Sequence, residues 1–195
     1  MALSRIDISD GLINELRNFE QLVRSLSPAE LDAPSRCSGW TVGDVARHAM
    51  GGIADVTASR LDGLGSPEVT AREVAERAGH TAAQLADECA TVATAAAGLL
   101  SVFDDASWAA PAGNGYEGTL GQGVEALWYD TWLHGDDIRS ASAVHPNSAT
   151  GSRRRWRMST SNCASATGPA PYQPSTTPTR WRSSSPRPAA PTARH

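Results

Sequence analysis

A serine or threonine three residues ahead of an acid or amide recurs along the first part of this chain, at Ser27-Pro-Ala-Glu30, Thr41-Val-Gly-Asp44, Thr70-Ala-Arg-Glu73 and Thr119-Leu-Gly-Gln122. That spacing lets the hydroxyl accept from a backbone N–H of the first helical turn while the acid or amide reaches back to the capping residue, so each pair marks a helix start. The residues that follow carry apolar positions at helical spacing. A chain marked in this way up to about Ser142 is constrained to an all-α fold, and no segment reads as a convincing β-strand.

The helices can be placed. Leu12, Ile13, Leu16, Phe19, Leu22 and Val23 trace one stripe, and Ser9 or Asp10 is the expected cap of this first helix. Ser27 to Glu30, with proline at the first helical position, predicts a short helical turn before the loop DAPSRCSGW. The second long helix starts at Thr41, and Val42, Val45, His48, Ala49 and Ile53 share its buried face. The third is expected to run unbroken from Thr70 to about Phe103, since alanine, leucine and arginine all favour helix. Thr119 opens the fourth, which runs to about Ser142. Four amphipathic helices predict an antiparallel four-helix bundle over residues 1–146, with sites built between facing helices.

From residue 147 the pattern fails. No acid lies beyond Asp137, and eight of the 17 basic residues, all of them arginine, lie at or after Arg153. Residues 1–147 carry 9 arginines against 21 acids, or −12, and the remainder carries +8. Residues 147–195 are rich in Arg, Pro, Ser and Thr with no apolar period, so a disordered tail is expected. A basic tail can contact anionic partners, with Trp156 and Trp181 stacking on bases, but the −12 bundle argues against nucleic acid as a partner. The same composition results when a G/C-rich gene is read out of frame. In the alternative frame each Trp codon contributes only Leu, Val or Met, and Arg155 to Gly168 can be back-translated to a plausible helix. We therefore expect a frameshift around residues 143 to 155, which the coding DNA would reveal.

No apolar run approaches the roughly 20 residues that span a bilayer, and the first residues lack a signal-peptide core, so a cytoplasmic location and no membrane partner are expected. Cys37, Cys89 and Cys163 are widely spaced and odd in number, offering neither a disulfide framework nor a Cys-x-x-Cys clip.

Chemistry concentrates in ALWYDTWLHGDDIR, Ala126 to Arg139. Asp130 and His134 are four apart and leave the same helix face, a spacing at which a carboxylate and an imidazole can share one ion. An ordinary helical ion pair or a satisfied core histidine has the same spacing. His48 on the second helix can supply a third donor across the bundle, and three mixed ligands leave the open position of a catalytic metal site. Asp137 is either a hydrogen-bond partner of a ligand histidine or a capping acid. Trp40, Trp128 and Trp132 line a pocket or pack between helices. Cys37 has no adjacent base legible in the sequence, His80 is expected on the solvated face of the third helix, and Gly51 with Gly52 suits close helix approach. Arg139 near the last helical turn complements the helix dipole.

These residues carry a resemblance. CSGWTVGDVARHAMGG resembles the Cys-Pro-Gly-Trp-Thr-Val-x-Asp-Val-x-x-His signature of the DinB-like superfamily branch that includes mycothiol-dependent maleylpyruvate isomerase. DTWLHGDDIRSA is similar to that branch's Glu-x-x-x-His-x-x-Asp-Leu motif, and the resemblance spans roughly residues 9 to 142. It implies a DinB-like four-helix bundle holding a divalent metal, commonly zinc, on two histidines and a carboxylate, with mycothiol as cosubstrate. Carried over, His48, Asp130 and His134 are the metal ligands and Asp137 is the motif's following aspartate. A metal-activated thiolate attacking an electrophilic small molecule, followed by isomerisation or by S-transfer, is the implied chemistry. A non-catalytic metal- or ligand-binding bundle, truncated or frameshifted, is the alternative. Asp130 stands where the family has glutamate, one methylene longer, which removes about 1 to 1.5 Å of reach against metal–oxygen distances of about 2.0 to 2.2 Å. The family's C-terminal domain, which helps bind ligand, is replaced here by the aberrant tail.

Overall fold

The computed structural model describes residues 3–113 and 116–141. Seven helices occupy them: α1 Arg5–Arg24, α2 Pro28–Leu31, α3 Val42–Thr57, α4 Pro67–Glu76, α5 Ala82–Ser101, α6 Asp105–Ala109 and α7 Leu120–Ala141. Pro34 with Thr41 and Pro111 with Thr119 form isolated bridges, and no strand occurs among the described residues. None of the described helices is long and apolar enough to cross a membrane. The tail, with Cys163, Trp156, Trp181 and the expected frameshift, lies outside the described residues.

Capping chemistry sets most of the boundaries. Reciprocal boxes close at Ser27 with Glu30 and at Thr41 with Asp44. At Thr119 the backbone N–H donates to Gln122 Oε1 at 2.9 Å, while Thr119 Oγ1 accepts from Gln122 N at 3.2 Å. Two expectations are corrected. Helix α1 is capped by Ser4, not Ser9 or Asp10, because Asp7 completes a box there and Ile8 extends the buried stripe by a turn. The expected third helix is two helices: Ser66 with Pro67 at the first helical position caps α4, and Thr81 with Gln84 caps α5. Between them Gly79 adopts φ +78°, a left-handed conformation that ends a helix cheaply only at glycine. Thr70 is therefore inside α4, Glu73 is not a capping residue, and His80 lies in the inter-helix turn, 4.0 Å from Glu88.

The four long helices close a ring. Helix α1 packs mainly on α5 and α7, and α3 packs on the same two, so the consecutive long helices α1 and α3 stand on one diagonal. The core takes Leu16, Phe19 and Val23 from α1, Val45, Ala46, Ala49 and Met50 from α3, and Leu85, Ala86 and Cys89 from α5. Fully burying a side chain such as Phe19 or Leu16 contributes about 1.5–3 kcal/mol. The Cys89 thiol donates to the Leu16 carbonyl at 3.3 Å, and burial is the main cause raising its pKa to about 12.

Helix α7 breaks this pattern. Its buried positions include Val124 and Ile138, but also Thr131, His134 and Asp137. A helix that turns an imidazole and a carboxylate inward needs partners for them there. Those partners form the site.

Candidate metal centre

The site lies where α3 meets α7, under the loop that leads into α3. That loop is fixed by Ser35, whose N–H donates to the Trp40 carbonyl at 2.9 Å and whose Oγ accepts from Cys37 N at 3.0 Å. Gly39 takes φ +81° at the bend. The chain rejoins at Val42, whose N–H donates to the Ala33 carbonyl at 2.9 Å. This tight return holds Trp40 against His48, with ring centroids 5.2 Å apart and planes at 81°.

His48 of α3 and His134 of α7 meet with ring centroids 5.1 Å apart at 77°. Each imidazole has a carboxylate on Nδ1. His48 Nδ1 is 2.6 Å from Glu73 Oε2, and His134 Nδ1 is 3.3 Å from Asp137 Oδ2. Asp137 is buried, and its Oδ1 accepts from Arg36 Nε at 3.1 Å and Nη2 at 2.7 Å; Nη2 also reaches Asp136 at 2.8 Å. Burial alone would raise the Asp137 pKa, but the His134 and Arg36 partners outweigh it and hold the carboxyl below its usual range. Burial likewise disfavours the His134 imidazolium. The carboxylates of Asp130, Asp137 and Glu73 overcome that penalty, so His134 titrates above an ordinary histidine.

His134 Nε2 is buried and has no hydrogen-bond partner among the described residues; the nearest acidic oxygen, Asp130 Oδ1, is 3.6 Å away. An unsatisfied buried imidazole nitrogen costs about 1–3 kcal/mol, so it calls for an electron-pair acceptor or a donor at that point. Asp130 is 40% exposed on its side chain, leaving one side of this point open to solvent.

Two donor sets share His134. Cys37 Sγ, a His134 ring nitrogen and an Asp137 oxygen lie within 4.8 Å of one another. Asp137, however, already holds the Arg36 guanidinium, and a cation there would face that charge directly. Asp130 approaches Nε2 and the His48 ring lies beside that of His134, but the donor atoms of His48, Asp130 and His134 do not all come within 4.8 Å of one another. By residue type this second set offers two imidazoles and a carboxylate, donors suited to a divalent ion.

The aromatic candidates separate. Trp40 touches the site, Trp128 packs its ring end against Gly11 of α1 where no Cβ could fit, and Trp132 stacks on Tyr129 at 6.0 Å. Glu73 and Arg36 were not legible as site residues. In the sequence Glu73 has the spacing of a capping-box acid after Thr70, and Arg36 lies in a loop without periodicity.

A helical bundle in which histidines from two packed helices meet, each with a carboxylate on Nδ1, defines the class: an all-α protein with a His- and carboxylate-lined candidate metal site. Residues 13–139 match the family described as mycothiol maleylpyruvate isomerase N-terminal domain, and the chain belongs to that family. The family is associated with mycothiol and metal binding. No curated protein and no solved structure matches the chain.

Proposed function

We propose that this chain is a divalent-metal-dependent, thiol-using enzyme in which His48, Asp130 and His134 hold the ion, zinc by donor type, and mycothiol and a small electrophile are the partners. The orphaned, buried His134 Nε2 carries the reading, because a nitrogen whose ring partner Nδ1 is already engaged by Asp137 presents its lone pair to that point. When bound, the ion lowers the pKa of a thiol so that thiolate, the nucleophile, predominates near neutral pH. Asp137 orients His134, and Arg36 in turn fixes Asp137 and keeps it ionised. Trp40 closes one side of His48 and limits water there. The exposed side at Asp130 is the route by which thiol and electrophile reach the site. Addition to an electrophilic carbon followed by bond rotation and release makes the protein an isomerase; retention makes it an S-transferase. A cytoplasmic setting follows from the thiol cosubstrate, and the acidic bundle disfavours nucleic acid.

Metal analysis of the purified chain is the test. About one zinc per chain, lost in His48→Ala and in His134→Ala, is expected for a three-ligand site. A metal-free chain that cannot be loaded with zinc or cobalt defeats the reading. Turnover of an electrophile that depends on added mycothiol separates an enzyme from the second reading, a metal-binding bundle without activity. The short Asp130 side chain, 3.6 Å from Nε2, is the observation favouring that second reading.

A further inference from the structure

Helix α4 is a helix of 10 residues outside the four-membered ring, yet it buries a glutamate. Glu73 has 1% of its surface exposed, and its Oε2 is 2.6 Å from His48 Nδ1. Burying a carboxylate costs several kcal/mol unless its partners compensate, so the position is not one that packing alone would select. The surrounding contacts hold it in place. Arg77 Nη1 donates to the Glu73 carbonyl at 3.0 Å, Arg77 Nη2 reaches Glu88 of α5 at 2.6 Å, and Arg47 of α3 donates to the Arg77 carbonyl at 3.1 Å. Gly51 of α3 completes the arrangement: a Cβ there would stand 2.5 Å from Glu73 Cβ and 2.7 Å from Cγ. Only a glycine lets α4 approach α3 closely enough to bring this carboxylate onto the ring.

We propose that Glu73 is the positioning residue of His48: it fixes the imidazole as the Nδ1–H tautomer, so that the Nε2 lone pair is presented beside His134. This rests on the assignment of His48 as a metal ligand. A carboxylate on the far nitrogen of a ligand histidine fixes ring orientation and raises its basicity, and losing one typically lowers metal affinity about 10- to 100-fold. Glu73 and Asp137 then play matching parts on the two histidines, one from α4 and one from α7 itself.

Long-range proton–nitrogen NMR of the metal-free protein reads the tautomer directly and needs no variant. Nδ1–H at His48 is expected; Nε2–H there overturns the proposal. Glu73→Gln keeps the side-chain volume, but its amide can either accept from or donate to Nδ1, so mixed tautomers and a 10- to 100-fold weaker affinity for cobalt(II) are expected, with rescue in Glu73→Asp absent or partial. Wild-type affinity in Glu73→Gln, with the thermal midpoint in chelator lowered or not, overturns the positioning role and leaves a structural one. If the wild-type protein itself binds no metal, the site assignment fails first, and that result is distinct from a metal-binding protein indifferent to Glu73.

Discussion

Replacing Gly51 by alanine sets two effects of opposite sign against each other. Within a helix the substitution ordinarily gains about 0.5–1 kcal/mol, because glycine loses more backbone freedom on folding. At Gly51 the new methyl would lie 2.5 Å from Glu73 Cβ, 2.7 Å from Cγ and 3.0 Å from Arg77 Nη1, and Cβ is the end of that side chain least able to move. Forcing an extra carbon into a packed contact costs about 1–3 kcal/mol. The net expectation is a loss of up to about 2 kcal/mol, obtained by setting the overpacking cost against the helix gain. Gly98 of α5 supplies the reference, since a Cβ there meets nothing within 4 Å, and Gly98→Ala should show the gain alone. The two variants should then differ by about 1–3 kcal/mol, or roughly 2–4 °C of thermal midpoint per kcal/mol for a chain of this size. Urea denaturation in the presence of a chelator, with matched slopes, measures this difference without any contribution from metal. If Gly51→Ala stabilises as much as Gly98→Ala, α4 does not approach α3 as described, and the placement of Glu73 falls with it.

Asp130→Glu lengthens the carboxylate toward His134 Nε2, from which Asp130 Oδ1 is 3.6 Å, and zinc affinity measured by competition with a chelator should rise about tenfold, or 1.4 kcal/mol; an unchanged or weaker affinity removes Asp130 from the ligand set. Glu15 is buried on α1, and desolvation raises its pKa, with Arg139 and Asn18 only partly offsetting that. A carboxyl whose folded pKa is raised releases its proton first in the unfolded chain, so its contribution to stability falls as pH rises from the ordinary glutamate range through the folded value. Glu15→Gln should therefore have a higher midpoint than wild type at neutral pH, and the advantage should shrink on acidification below the ordinary glutamate pKa; a pH-independent difference refutes the desolvation argument.

Local chemistry was the part of the fold legible in the sequence. Boxes at Ser27, Thr41 and Thr119 lie where they were read because a cap depends on residues within one turn. Thr70 failed for an instructive reason: Ser66-Pro67 offers equivalent capping chemistry one turn earlier, and Glu73 is held by a distant histidine instead. The break between α4 and α5 rests on the single residue Gly79 in a run whose propensity otherwise favours helix. At the site, the spacing of Asp130 and His134 was visible, and so was the inward face of His48. The ring-to-ring contact between the two histidines depends on how α3 and α7 pack, which no local pattern encodes. The ion pair from Arg36 to Asp137 joins residues 101 positions apart, beyond the reach of any spacing rule.

The order of helices around the ring bears on how the chain acquires its structure. The stripe Leu12, Leu16, Phe19 and Val23 on α1 finds its main cover on α5 and α7, not on the long helix that follows it in sequence. A chain synthesised from its N-terminus thus carries that stripe past α2, α3 and α4 before Ala82 opens its first long-helix neighbour. Helical bundles whose successive helices pair fold through short-range contacts and do so quickly, whereas this ring defers its first large apolar contact until α5 has emerged. During that interval the newborn protein displays an oily surface to chaperones and to other nascent chains, and only α7, the last described helix to appear, closes the ring and brings the second histidine to the first.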